Sequence, residues 1–205
     1  MQCSRNSAAT QLAKQSGIMT PTFRTSRPGS AADPSRAHII LVGLPGSGKS
    51  TVGRQVAAQL GRTFLDLDFE IERREGMSIP EIFGEKGETY FRAKELALTK
   101  ELQQVGNMIL APGGGWITNP DVVGLLRPPG RLIYLRVLPE TALKRLGTRR
   151  TLRPLLSRPD PGAELERLYG QRKAAYETAD HVVDTELYSL QRVIEKVIEL
   201  ATSAA

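Results

Sequence analysis

Gly43-Leu-Pro-Gly46-Ser47-Gly48-Lys49-Ser50-Thr51 combines residue types that together suit a polyphosphate. Glycines let the backbone curl so that successive N–H groups point inward, and a helix starting near Lys49 adds the positive end of its dipole. Lys49 reaches the β- and γ-phosphates of a nucleotide, and the Ser50 hydroxyl is a ligand for Mg²⁺. The spacing G-x-x-x-x-G-K-[ST] therefore predicts ATP or GTP bound by Gly46, Ser47, Gly48, Lys49, Ser50 and Thr51. No D-x-x-G followed by N-K-x-D is present, which counts against a switch GTPase.

Asp66-Leu67-Asp68 closes a second apolar run. Carboxylates at the carboxyl end of a strand lie where doubly wound sheets collect their ligands, so one can serve a metal ion and the other an acceptor hydroxyl. An N-cap pair for a helix beginning at Phe69 is the competing explanation. Gly113, Gly114 and Gly115 follow the run Met108–Ala111 and permit either backbone approach to a ligand or a tight turn. Arg149, Arg150, Arg153 and Arg158 fall in a segment broken by Gly147, Pro154, Pro159, Pro161 and Gly162. That segment reads as a lid bringing guanidinium charge to a transferring phosphoryl group, or as a solvated basic loop. By pattern alone, Arg92 and Arg172 look like surface arginines.

The elements that must carry these residues alternate. His38–Val42 is a short run suited to a strand buried on both faces, and Thr51–Leu60 has helical spacing with Val52, Val56 and Leu60 on one side. Strand-like runs recur at Thr63–Leu67, Met108–Ala111, Arg131–Val137 and His181–Val183, with helical stretches between them, including Glu88–Gln104. Asn119-Pro120, Pro139 and the pair Ser78 and Glu81 mark helix starts. Alternating β and α segments predict an α/β fold with a mainly parallel sheet and helices on both faces.

The chain has 205 residues, one of them cysteine (Cys3), and 40% are hydrophobic. No apolar run approaches the ~18 residues of a membrane span, and a lone cysteine excludes a disulfide scaffold and a cysteine-based zinc site. Arg5, Lys14, Arg24, Arg27 and Arg36 against Asp33 put four of the six net positive charges into residues 1–37. The remainder carries too little charge to argue for nucleic acid. Residues 1–37 lack hydrophobic periodicity and read as a disordered basic extension. An organelle transit peptide and a start placed too early, with Met19 as a later candidate, have the same composition. One domain, 38–205, holds the chemistry.

The phosphate loop, Asp66-x-Asp68, the stretch Ile79-Pro-Glu-Ile-Phe83 to Tyr90-Phe91-Arg92-x-x-Glu95, the triplet Gly113–Gly115 and Arg153-Pro-Leu-Leu156 resemble, in order, the shikimate kinase family over about residues 38–200. The resemblance implies a three-layer α/β/α fold of the nucleoside monophosphate kinase type, with a five-stranded parallel sheet and a mobile lid loop. It implies ATP-dependent phosphorylation of the 3-hydroxyl of shikimate, in chorismate and aromatic amino-acid biosynthesis, with Mg²⁺ as cofactor. It assigns Ser50 and Asp66 to Mg²⁺, and Asp68 to the acceptor hydroxyl as candidate base. Arg92, Gly113, Gly114, Gly115 and Arg172 then bind shikimate, and Arg153 becomes the lid arginine on the ATP phosphates. Lys49, Asp68 and Arg153 are thus the expected catalytic groups. A gluconate kinase-like enzyme and a non-catalytic nucleotide-binding module are the alternatives. The chain departs from the family pattern in three places. Arg172-Lys-Ala-Ala-Tyr176 lacks a Pro-Leu, Glu186-Leu187-Tyr188 replaces the polar or basic residues near adenine, and Trp116 after the glycines would bring a large ring to the pocket wall. The expected protein is a cytoplasmic monomer, or plastidial if the extension is a transit peptide, with no nucleic-acid or membrane partner.

Overall fold

The computed structural model describes residues 37–147 and 160–203. The extension with Cys3, and Arg149, Arg150, Arg153 and Arg158 of the expected lid, lie outside the described residues. Strands β1 (Ile39–Val42) and β3 (Met108–Ala111) bury all their side chains, as a sheet covered on both faces requires. With β2 (Thr63–Asp66), β4 (Arg131–Arg136) and β5 (His181–Asp184) they form a five-stranded sheet, order β2-β3-β1-β4-β5, parallel throughout. Successive side chains alternate between its faces. Ile39, Leu41, Ile109, Ile133 and Leu135 pack under α1 (Lys49–Leu60) and α8 (Leu190–Thr202). Ile40, Val42, Leu110, Leu132 and Tyr134 face the other core.

That second core is roofed by α2 (Leu67–Glu75), α3 (Ile79–Glu85) and α4 (Gly87–Leu102), which run between β2 and β3. It is completed by α5 (Pro120–Leu126) before β4, and by α6 (Pro139–Leu146) and α7 (Pro161–Tyr176) before β5. β1 lies at the centre: from it the chain crosses to β2 and β3 on one side of the sheet, and from β3 it passes over β1 to β4 and β5 on the other. The crevice above the carboxyl end of β1 is where such sheets bind ligands. Among the described residues no helix is long and apolar enough to cross a membrane.

The helix starts follow local chemistry. Ser78 accepts from the Glu81 N–H at 3.4 Å while the Glu81 carboxylate accepts from the Ser78 N–H at 2.7 Å, a complete capping box. Asn119 caps α5, whose first residue is Pro120. α1 begins at Lys49, as the phosphate loop predicts, which puts Ser50 and Thr51 inside its first turn. Several other boundaries differ from expectation by one or two residues; α4, for instance, ends at Leu102. β2 stops at Asp66 because that side chain caps α2, accepting from the Phe69 N–H at 3.3 Å, so Asp68 sits on a helix rather than on a strand. Trp116 is not on a pocket wall: it is 0% exposed in a short 3₁₀ turn, and its Nε1–H donates to Thr99 Oγ1 at 3.1 Å.

His38, just before β1, ties the two ends of α4 and β3 together. Its Nδ1 accepts from the Met108 N–H at 3.3 Å, which leaves Nε2–H to donate to the Leu102 carbonyl at 3.0 Å. Both partners lie in the buried interior.

Candidate active site

A cleft of about 900 Å³ opens above the carboxyl ends of the strands, a size suited to small-molecule ligands. The phosphate loop forms one part of its wall, and Asp68, Arg92, Gly113–Gly115 and Arg172 form another.

In the loop, Gly46 and Gly48 adopt φ 87° and 95°, conformations that disfavour any side chain. A Cβ at Gly46 would in addition stand 2.5 Å from the Ala142 carbonyl oxygen, so glycine is required there on both counts. Lys49 is nearly buried, and its Nζ donates to the Gly43 and Leu44 carbonyls at 2.9 and 3.1 Å. These bonds hold the ammonium over the loop that it closes.

Ser50 and Asp66 meet beside this loop. The Ser50 hydroxyl donates to Asp66 Oδ2 at 2.6 Å, while Oδ1 of the same carboxylate caps α2. Asp66 is therefore an N-cap, the competing sequence reading, and at the same time a partner of the phosphate loop. The pair offers hard oxygen donors, the type Mg²⁺ prefers, and among the described residues no group of three His, Cys, Asp or Glu could hold a metal by itself. One carboxylate and one hydroxyl suit an ion that takes its remaining ligands from water and substrate phosphate.

The part of the cleft around Gly113–Gly115 is built by pairing side chains with glycines. None of Gly113, Gly114 and Gly115 has a left-handed φ, so backbone freedom does not explain the run. Room does. A Cβ at Gly113 would lie 2.5 Å from Asp68 Oδ1, one at Gly114 2.8 Å from Arg172 Nη1, and one at Gly115 2.6 Å from Arg92 Nη2. Each missing side chain is the space into which one charged group reaches, and the three groups arrive from α2, α7 and α4. Arg172, which by pattern alone resembled a surface residue, is only 8% exposed.

Glu95 organises the charges, a role not assigned from the sequence although the residue stands in the quoted stretch. It is 3% exposed and accepts from Arg92 Nη1 at 2.8 Å. Burial pushes its carboxyl up from the ordinary value; Arg92 and Arg172 oppose this, and the negative charge of Asp68 adds to it. Burial also works against the charge on Arg92, but Glu95 and Glu88 outweigh it and hold the guanidinium firmly protonated. The i, i+3 spacing of Arg92 and Glu95 on one helix was the signal available.

Other walls were not assigned from sequence either. Phe69, Ile79, Pro80, Phe83 and Phe91 add apolar surface to the cleft. Elsewhere, Arg145 is pinned to Thr185, its Nη1 donating to Oγ1 at 2.8 Å and its Nη2 to the carbonyl at 2.7 Å; Tyr188 and Leu190 line the cleft beside them. A residue such as Arg145, in the last turn of a helix rich in polar groups, carries no mark of this in the sequence.

A family model for shikimate kinase matches residues 45–202. A shikimate kinase of Pelotomaculum thermopropionicum is 38% identical over 161 residues, covering 78% of this chain and 93% of that relative. One of Nitrosomonas europaea is 40% identical over 181 residues, covering 88% and 83%. The solved shikimate kinase of Acinetobacter baumannii, in complex with shikimate, has a TM-score of 0.76 at 38% identity, over 82% of this chain and 93% of that one.

Proposed function

The chain belongs to the shikimate kinase family, and from that premise we propose how its own residues serve the reaction. It is an enzyme that phosphorylates the 3-hydroxyl of shikimate with ATP, rather than a gluconate-type kinase or a non-catalytic module.

The observation that supports the site assignment is the matching of Asp68, Arg92 and Arg172 to three consecutive glycines. It sets one carboxylate and two guanidinium groups around one small space, the complement of a ring that carries hydroxyls and a single carboxylate. Arg92 and Arg172 bind the acceptor carboxylate through charge-assisted hydrogen bonds. Asp68 accepts the hydrogen of the attacking hydroxyl, aims its oxygen in line with the γ-phosphate and takes the proton on a carboxylate oxygen. Phosphoryl transfer needs little more than such positioning and charge neutralisation. Gly46, Ser47, Gly48 and Thr51 give the nucleotide phosphates their N–H cradle, and Lys49 supplies mobile positive charge. Ser50 and Asp66 are the residues that would hold Mg²⁺, which would supply neutralisation of the phosphate charge. Arg145, Thr185, Tyr188 and Leu190 receive the nucleotide base. Arg153 completes the phosphate contacts by its place in the family motif.

A monomer in a reducing cytoplasm is the assembly and compartment we propose, and a single cysteine accords with that compartment. A weakly charged domain gives no reason to add a nucleic-acid or membrane partner.

A coupled ADP-release assay with shikimate, quinate and gluconate in parallel tests the function. Turnover with shikimate is expected; turnover with gluconate alone, or with none, overturns it. The two aspartates separate in a Mg²⁺ titration at saturating shikimate. Asp68→Asn is expected to lose most of kcat at every Mg²⁺ concentration, because an amide accepts a hydrogen bond but takes no proton. Asp66→Asn is expected to raise the Mg²⁺ needed for half-maximal rate. The reverse pattern refutes the assignment.

A further inference from the structure

Arg172 sits on α7 with its Nη1 2.8 Å from the point where a Gly114 Cβ would be, an approach that a flexible guanidinium holds only if something fixes it. One helical turn further on, Tyr176 is wholly buried, and its hydroxyl donates to the Gly114 carbonyl at 3.1 Å. The hydroxyl and the Arg172 guanidinium converge on Gly114: the same Cβ position lies 3.5 Å from the Tyr176 oxygen and 2.8 Å from Arg172 Nη1. Burial pushes the phenol up to about 12 against the pull of Arg172, so the hydroxyl keeps the hydrogen it donates throughout the working pH range. The ring is stacked on Tyr134 of β4, with centroids 5.0 Å apart and planes 14° from parallel. The hydroxyl thus fastens α7 to the glycine loop after β3 at the point the arginine reaches, and its ring anchors that point to the sheet. Tyr176 itself is not among the residues that line the cleft.

We propose that Tyr176 is a positioning residue for the acceptor, acting through Arg172 and the Gly114 carbonyl without touching the substrate. The inference rests on the reading of Arg172 as a carboxylate-binding group. The Tyr176 hydroxyl sets the direction of the guanidinium and the height of the glycine loop together, so that both are in place before the acceptor arrives. Preorganisation of this kind acts on acceptor binding and leaves the nucleotide alone.

The neighbouring tyrosine provides an internal control. The Tyr134 hydroxyl is buried, with no hydrogen-bond partner among the described residues, so Tyr134→Phe removes a phenolic oxygen from the same stack without breaking a bond. In Tyr176→Phe the KM for shikimate is expected to rise about fivefold, the effect of one neutral hydrogen bond. The kcat and the KM for ATP are expected to stay within about twofold. Tyr134→Phe is expected to match the wild type in all three. In an Arg172→Lys background, Tyr176→Phe is expected to add less than about twofold, because the residue through which it acts has already been changed.

Absence of wild-type turnover with shikimate overturns the functional reading and this inference with it. A wild type that turns over, with Tyr176→Phe retaining its KM, overturns the positioning role alone. So does a variant whose KM values for both substrates rise together, a full-sized effect that persists in Arg172→Lys, or a Tyr176→Phe chain that does not fold; each assigns the hydroxyl to structure instead.

Discussion

Replacing Gly113 by alanine separates room from backbone freedom as the reason for the glycine run. Gly113 lacks a left-handed φ, so alanine can adopt its backbone conformation. The added Cβ, however, would lie 2.5 Å from Asp68 Oδ1 and 3.2 Å from its Cγ, where ordinary contact begins at 3.4 Å. The carboxylate must retreat by about 1 Å. It is the tip of a side chain on the first turn of α2, so the retreat costs about 1 kcal/mol of rotamer strain. The loss of unfolded-chain entropy on going from glycine to alanine returns about 0.4–1 kcal/mol. Stability therefore changes little. The reaction is less tolerant, because a shift of about 1 Å in a group that aligns the nucleophile costs about 100-fold in rate, or about 2.7 kcal/mol of barrier. The assay is steady-state turnover at saturating ATP and shikimate, with the thermal midpoint measured on the same preparation. A fall in kcat of about 100-fold is expected, with the KM for ATP within about twofold and the midpoint within about 3 °C. A Gly113→Ala enzyme with kcat within about threefold of wild type refutes the packing argument, and a collapse of the midpoint shows that the loop itself needs glycine.

Two further predictions concern the frame. His38→Phe leaves the buried Met108 N–H without its acceptor and the Leu102 carbonyl without its side-chain donor; urea unfolding is expected to show a loss of about 1–3 kcal/mol, and a loss below about 0.5 kcal/mol contradicts the tie. Lys94, with Tyr90 and Lys86, holds the Glu75 carboxyl down at about 2 against an ordinary 4.5. Its contribution is therefore complete above pH 4.5 and lost as pH falls towards 2. The thermal-midpoint gap between wild type and Glu75→Gln, measured from pH 7 downward, is expected to close in that window, and a gap independent of pH counts against the assignment.

What could be read from the chain depended on how local each signal was. The phosphate loop is nine consecutive residues whose types carry their own chemistry, so its place between β1 and α1 followed directly. The sheet was legible for the same reason: each strand is a short apolar run between helical stretches. Asp66 and Asp68 were harder, because an N-cap and a metal-site carboxylate have the same letter, and only the structure shows that one caps the helix while bonding the Ser50 hydroxyl and that the other rides on the helix. The triplet of glycines was visible, but its cause was not, since the atoms that need the room come from residues 68, 92 and 172. Arg172 and Trp116 mark the limit. Nothing near Arg172 in sequence tells that α7 turns it inward, and nothing beside Trp116 tells that Thr99, seventeen residues earlier, supplies the partner that lets an indole be buried whole.

The pairing of side chains with glycines also bears on how such an acceptor pocket can be inherited or rebuilt. Residues 67–102 form one contiguous span between β2 and β3, and at first sight a portable cassette that could be exchanged for that of another kinase to change its substrate. The cassette carries Asp68 and Arg92, but the hollows that receive them belong to the loop after β3, and the third charge comes from α7 beyond β4. The shape of this part of the cleft is thus written in matched couples whose members lie far apart along the chain. A graft that moves one member without the other delivers a longer or shorter side chain into a hollow of the wrong depth. Recombination within this architecture is constrained to exchange the glycine loop and its three visitors together, or to begin by changing the loop.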